Sequence, residues 1–103
     1  MTRPPQLSDE ARQAALAKAA VARRARAEIK QRLKMGSLSF TELLDQADDE
    51  MVAKMKVLAV LESLPGVGKV KARRTMEEIG ISDNRRIRGL GDNQRAQLLE
   101  AFG

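Results

Sequence analysis

The sequence predicts an all-α fold, a long N-terminal helix followed by a compact helical domain built around two glycine turns. Three observations carry that expectation. Apolar residues make up 43% of the 103, yet Phe40 and Phe102 are the only aromatics, and abundant alanine suits an aliphatic helical core better than a sheet. The stretch from Ser8 to Met35 holds no glycine or proline and is closed by Gly36, a helix with both end signals in place. Leu64-Pro65-Gly66-Val67-Gly68-Lys69 then sets a tight turn between two amphipathic stretches, and an altered copy of it follows 23 residues later.

The elements follow in order. Residues 1–7, with Pro4 and Pro5, read as a flexible tail. Residues 8–103 read as one helical domain, divided into a long basic helix (8–35), acidic and core helices (36–63) and a glycine-turn module (64–103). Ser8 is the N-cap of the first helix, and Asp9 and Glu10 occupy its first turn, where the helix dipole favours acids. A helix of this length spans ~40 Å, more than so small a domain can cover, so much of it should project. Ala11, Ala15, Ala22, Ile29 and Leu33 share one face; Arg12, Arg23, Arg26, Lys30 and Lys34 form a basic ridge along another.

Ser39-Phe40-Thr41-Glu42 has the spacing of a capping box. Asp48-Asp49-Glu50 suits the start of a further helix, expected to run unbroken to about Ser63 as the central core helix through Met51, Val52, Met55, Val57, Leu58, Val60 and Leu61. Three carboxylates at a helix start cap it more often than they catalyse. Lys69 to Ile79 form the next helix, with Ala72, Met76 and Ile79 inward, closed by Gly80. Asp92 to Phe102 form the last, burying Leu98, Leu99 and Phe102.

The chemistry concentrates in the turns. Pro65 fixes its own φ and cannot extend the preceding helix, while Gly66 and Gly68 tolerate positive φ and carry no Cβ to keep a ligand's backbone at a distance. Val67 can pin such a turn to the helices it joins. The amides that open the next helix lack intrahelical partners and favour an anion, with Lys69, Lys71 and Arg73 supplying full charge nearby. Taken alone, the same residues also suit a plain helix stop and restart with exposed lysines. The internal repeat favours the anion site: Leu64 to Gly68 superimpose on Ile87-Arg88-Gly89-Leu90-Gly91, and Met76, Glu77, Ile79 and Gly80 on Leu99, Glu100, Phe102 and Gly103. Arg85, Arg86 and Arg88, arranged around Ile87, form the densest charge cluster in the chain, and the arginine fork suits phosphate.

The formal net charge is +5 and the isoelectric point about 10.1. Residues 1–35 carry nine basic against three acidic side chains, residues 36–63 two against six, and residues 64–103 eight against five. Two basic segments flanking an acidic middle fit a protein with one face toward a polyanion. Cysteine and histidine are absent, which excludes disulfides, Cys/His zinc sites, a thiol nucleophile and histidine acid–base chemistry. No cofactor or metal is expected. No apolar run approaches the ~18 residues of a membrane span, and no signal-peptide pattern opens the chain, so a cytoplasmic protein without membrane contact is expected. Gly-Val-Gly-Lys does not make a nucleotide-binding loop, because that motif needs glycine at Ser63 and serine or threonine at Val70.

Leu64-Pro65-Gly66-Val67-Gly68, followed by Ala72 and Ile79, is similar to the helix-hairpin-helix signature, and Arg85-Arg86-Ile87-Arg88-Gly89-Leu90-Gly91 looks like the second turn of a helix-two-turn-helix module. Together with Ala22-Arg23-Arg24-Ala25-Arg26-Ala27-Glu28 and Lys54-Met55-Lys56-Val57, they closely resemble the actinobacterial integration host factor family, from Leu7 to Phe102. The resemblance implies a monomeric, non-enzymatic nucleoid protein that binds double-stranded DNA with little sequence preference, bends or bridges it, and assists phage integration, with integrase–DNA complexes as implied partners. Carried over to this chain, it implies DNA contacts at Gly66, Val67, Gly68, Lys69, Lys71, Arg73, Arg85, Arg86, Arg88, Gly89 and Gly91, and a second DNA-facing surface at Arg12, Arg23, Arg26, Lys30 and Lys34. Two alternatives stand beside it. Helix-two-turn-helix modules occur in DNA repair glycosylases, but those carry an additional catalytic domain not found here, so the alternative is a non-catalytic relative of such modules. An RNA-binding or ribosome-associated protein would meet the same phosphates, although the scarcity of aromatic residues disfavours base stacking.

Overall fold

The structure is a computed structural model and describes residues 8–103; the expected tail lies outside the described residues. Six helices follow one another: α1 (Asp9–Lys34), α2 (Phe40–Asp45), α3 (Glu50–Ala53), α4 (Val57–Ser63), α5 (Gly68–Ile79) and α6 (Asp92–Phe102), with a 3-10 turn at Ile87–Gly89 before α6. There is no β-strand among the described residues.

α1 begins as its sequence dictates. The Ala11 amide donates to Ser8 Oγ at 3.1 Å, and the helix ends where Gly36 turns left-handed at φ 77°, its frayed end held by the Ser37 and Leu38 amides on the Arg32 carbonyl. Only Leu33 is fully buried, with Ile29 packed beside it against the core. Ala22 is half-buried, but Ala15, expected on the packing face, is exposed. α1 packs on α3 and α4, and those short helices cover only its C-terminal half. The rest projects, and the molecule measures 59 × 28 × 25 Å.

The capping box of α2 forms in both directions, Glu42 N–H to Ser39 Oγ at 3.1 Å and Ser39 N–H to Glu42 Oε1 at 3.2 Å. The two aromatics meet edge to face, ring centres 6.3 Å apart at 83°, which ties α2 to α6. Arg95 reinforces the joint by donating to the Leu44 carbonyl at 3.0 Å. Every fully buried side chain among the described residues is apolar. Val57, Val60 and Leu61 of α4 meet Ala72 and Met76 of α5 at the centre of the core, each large side chain contributing about 1.5–3 kcal/mol on burial. Leu98 is the fully buried member of α6, with Leu99 and Phe102 only half-buried.

The expected single helix from Glu50 to Ser63 is instead two helices, and the break has a clear cause. Lys56 pairs antiparallel with Arg86: the Val57 amide donates to the Arg85 carbonyl at 2.9 Å, and the Ile87 amide to the Met55 carbonyl at 2.9 Å. Met55 and Val57 are buried while Lys54 and Lys56 are exposed, an alternation that extended backbone gives and a helix cannot. A tertiary pairing thus overrides local helix propensity.

Candidate nucleic-acid interface

The first hairpin takes the conformation its residues suggest. Gly66 and Gly68 adopt φ of 75° and 71°, and a Cβ at either would meet no atom within 4 Å, so both face open space. Val67 is half-buried against the core and caps α5 without a side-chain hydrogen bond. The opening amides of α5 are therefore left to an external acceptor.

The second turn is not a copy of the first. Gly89 and Gly91 have no positive φ; the chain makes a 3-10 turn through Ile87–Gly89 and enters α6 from Gly91 in extended geometry, φ −75° and ψ 162°. The Gly91 amide donates to Gln94 Oε1 at 3.2 Å. Repeat symmetry fails here because residues 85–87 are drawn into the pairing with Met55 and Val57, so the second turn leaves extended backbone where the first leaves the end of a helix.

That pairing also separates the arginines. Arg86 turns toward α1 and donates to the Lys54 carbonyl, in a groove of about 480 Å³ lined by Arg23, Arg26, Lys30, Lys34, Lys54, Lys56 and Arg86. Arg85 is half-buried and folds back on its own turn, donating from Nη1 to the Gly89 carbonyl at 2.8 Å. Arg88 lines a different depression, beside Asp48, Asp92 and Arg95.

The two surfaces expected from the sequence merge. Lys30 and Lys34 also line the adjoining depression with Pro65, Gly66, Gly68 and Lys69. One continuous groove runs from Arg23 to the hairpin, lined by eight basic side chains and one acidic side chain, Glu62. Lys71 lies on the other flank of the hairpin, beside Val67 and Phe102; Arg73 is exposed on α5. Arg12 stands on the projecting part of α1, 11 residues from Arg23 and ~16 Å along the axis. Lys54 and Lys56 join the groove although the sequence places them in its acidic middle. The polar/apolar alternation of Lys54-Met55-Lys56-Val57 was the signal for their extended backbone and shared outward face. Lys54 also holds Glu50 at 2.7 Å, and its hydrogen bond and charge lower the Glu50 carboxyl below the ordinary glutamate value.

The S13-like H2TH domain family matches residues 33–102. The chain is 61% identical to the integration host factor of Mycobacterium tuberculosis, over 96% of this chain and 95% of that protein, and 56% identical to that of Streptomyces coelicolor, over 96% and 94%. The solved structure of sIHF bound to an 8-bp palindromic DNA superimposes with a TM-score of 0.80 at 56% identity, covering 84% of this chain and 99% of that one. With relatives this similar over nearly its whole length, the chain belongs to the actinobacterial integration host factor family.

Proposed function

We propose that this protein is an architectural, nucleoid-associated DNA-binding protein that grips duplex DNA by its phosphates, alters the duplex path and assists site-specific recombination. The observation that carries this reading is the convergence of α1, the Lys54–Lys56 segment, Arg86 and the glycine hairpin on one concave basic groove. So many cations around one groove repel one another until a polyanion enters.

Lysine and arginine on a phosphate position a duplex without reading its bases, so recognition follows DNA shape and deformability. In this reading Gly66 and Gly68 admit the backbone to the free amides of α5, and Lys69, Lys71 and Arg73 add charge around them. Arg86 and the α1 ridge at Arg23, Arg26, Lys30 and Lys34 hold the phosphates along the groove, joined by Lys54 and Lys56. Arg85, through Gly89 and Gly91, shapes the second turn, and Arg88 and Arg12 extend the basic surface to either side. Neutralising phosphates on one side of a duplex favours curvature toward that side, against a bending cost of about 1–6 kcal/mol for 40–90°. The protein acts by binding alone, as a monomer of one helical domain, in the nucleoid. Its DNA partner in the cell includes integrase-bound recombination sites.

Gel-shift titrations on duplex DNA, single strands and duplex RNA at two salt concentrations test this reading, followed by ligase circularisation of short duplexes. Tight, salt-sensitive duplex DNA binding with faster circularisation is expected. Preference for RNA or single strands would overturn it.

A further inference from the structure

Val70 is 73% exposed, more than any other large apolar side chain described. It stands third in α5, where a β-branched residue loses rotamer freedom and gains no contact with the core. Three residues earlier Val67 does pack on the core, so the motif uses one valine inward and presents the other outward.

What surrounds Val70 identifies its occupant. Lys69 and Lys71 flank it, both exposed, and exposed Arg73 and Arg74 follow one turn on, a cationic collar that admits a polyanion and disfavours an apolar partner. Side chains on a helix lean toward its N-terminus, so Val70 leans toward the bare hairpin, where the Gly68, Lys69 and Val70 amides have no intrahelical acceptor. A phosphate held by those amides would bring its nucleotide next to the valine.

Resting on the DNA-binding reading above, we propose that Val70 packs on the sugar of a nucleotide whose phosphate the α5 amides hold, and that this contact selects deoxyribose over ribose. The C2′ of deoxyribose offers only hydrogens to the valine methyls. Ribose offers a hydroxyl, the group by which proteins tell RNA from DNA. Against Val70 it would lose water, and Pro65, Gly66 and Gly68 bring no side-chain acceptor in exchange.

The test is an anisotropy titration of the wild-type chain and Val70→Ser on duplex DNA and duplex RNA of one sequence at two salt concentrations, with thermal melts of both proteins. The wild type should favour DNA. Val70→Ser should weaken DNA binding about threefold to tenfold, the scale of losing a partly buried valine contact, with RNA binding unchanged or stronger. Its salt slope and melting temperature should match the wild type, because neither a charge nor a core contact is removed. Comparing the two proteins cancels the difference in helix form between the duplexes. Equal weakening on both, or no change on either, would overturn the inference while leaving phosphate binding intact, as would a wild type without preference between the duplexes. A wild type that binds neither duplex in a salt-dependent way would instead defeat the DNA-binding reading, and this inference with it.

Discussion

The Arg85 guanidinium donates to the Gly89 carbonyl at 2.8 Å, bracing the second turn across its mouth. The same Nη1 lies 3.5 Å from Gln94 Oε1, the oxygen that accepts from the Gly91 amide. Arg85, Gly89, Gly91 and Gln94 are thus one hydrogen-bonded unit. Gly89 belongs to it sterically as well, since a Cβ there would come within 2.9 Å of the Arg85 side chain.

Arg85→Ala should therefore lower both stability and duplex affinity, while Arg88→Ala should leave stability unchanged. Losing the brace should cost about 1 kcal/mol, the usual net worth of such a hydrogen bond. Urea denaturation of both variants checks this; equal midpoints for Arg85→Ala and the wild type would show that the brace carries no weight.

Gly66 and Gly68 separate strain from access. Each holds a positive φ with open space around it, so Gly68→Val clashes with nothing inside the protein, yet forces an L-residue into a left-handed conformation at about 1–2 kcal/mol. Duplex affinity should fall further than stability, because the side chain covers the opening amides of α5. Melting curves and gel shifts on the same preparation distinguish the two; intact affinity would remove the hairpin from the interface.

The seam between Met55 and Ile87 holds the groove floor to the rest of the domain. Ile87 is 3% exposed and sits in the core cluster, so Ile87→Ala should cost about 2–5 kcal/mol. Amide exchange at Val57, which donates to Arg85, should accelerate with it. Protection of Val57 equal to the wild type would contradict the pairing.

Glu50 provides a pH-dependent check. The hydrogen bond and charge of Lys54 lower its pKa, so the pair adds stability above the ordinary glutamate range, and loses it as pH falls through the lowered value. The effect is small, because both side chains are largely exposed. A carboxyl-carbon NMR titration should place the Glu50 midpoint below that of an unpaired glutamate, and Lys54→Met should return it; an unchanged midpoint would show that the ion pair is absent in solution.

Much of this was legible in the sequence because local signals decide it. Ser8, the uninterrupted alanine-rich run and Gly36 fix α1; Ser39 and Glu42 fix the start of α2; Pro65, Gly66 and Gly68 fix the first hairpin. The break at Lys54–Lys56 was not legible by propensity, because Lys54, Met55 and Lys56 are good helix formers. What opens the helix is an extended partner segment some 30 residues later in the chain. The same long-range pairing explains why the repeat of glycine turns failed as geometry. The basic ridge on α1 and the hairpin were each visible, but their meeting at Lys30 and Lys34 depends on how α1 packs over α4, which no local pattern encodes.

The salt dependence of duplex affinity tests the single-groove account most directly. Log affinity should fall with log salt at a slope near −5 if about six phosphates are neutralised. Lys30→Gln combined with Lys34→Gln should flatten that slope by about 1.8, at ~0.9 per lost contact. Arg32→Gln, one residue before Leu33 on the same helix but lining a separate depression with Glu28 and Asp49, should leave it unchanged. A flat wild-type slope, or equal flattening by Arg32→Gln and the Lys30 and Lys34 pair, would contradict the account.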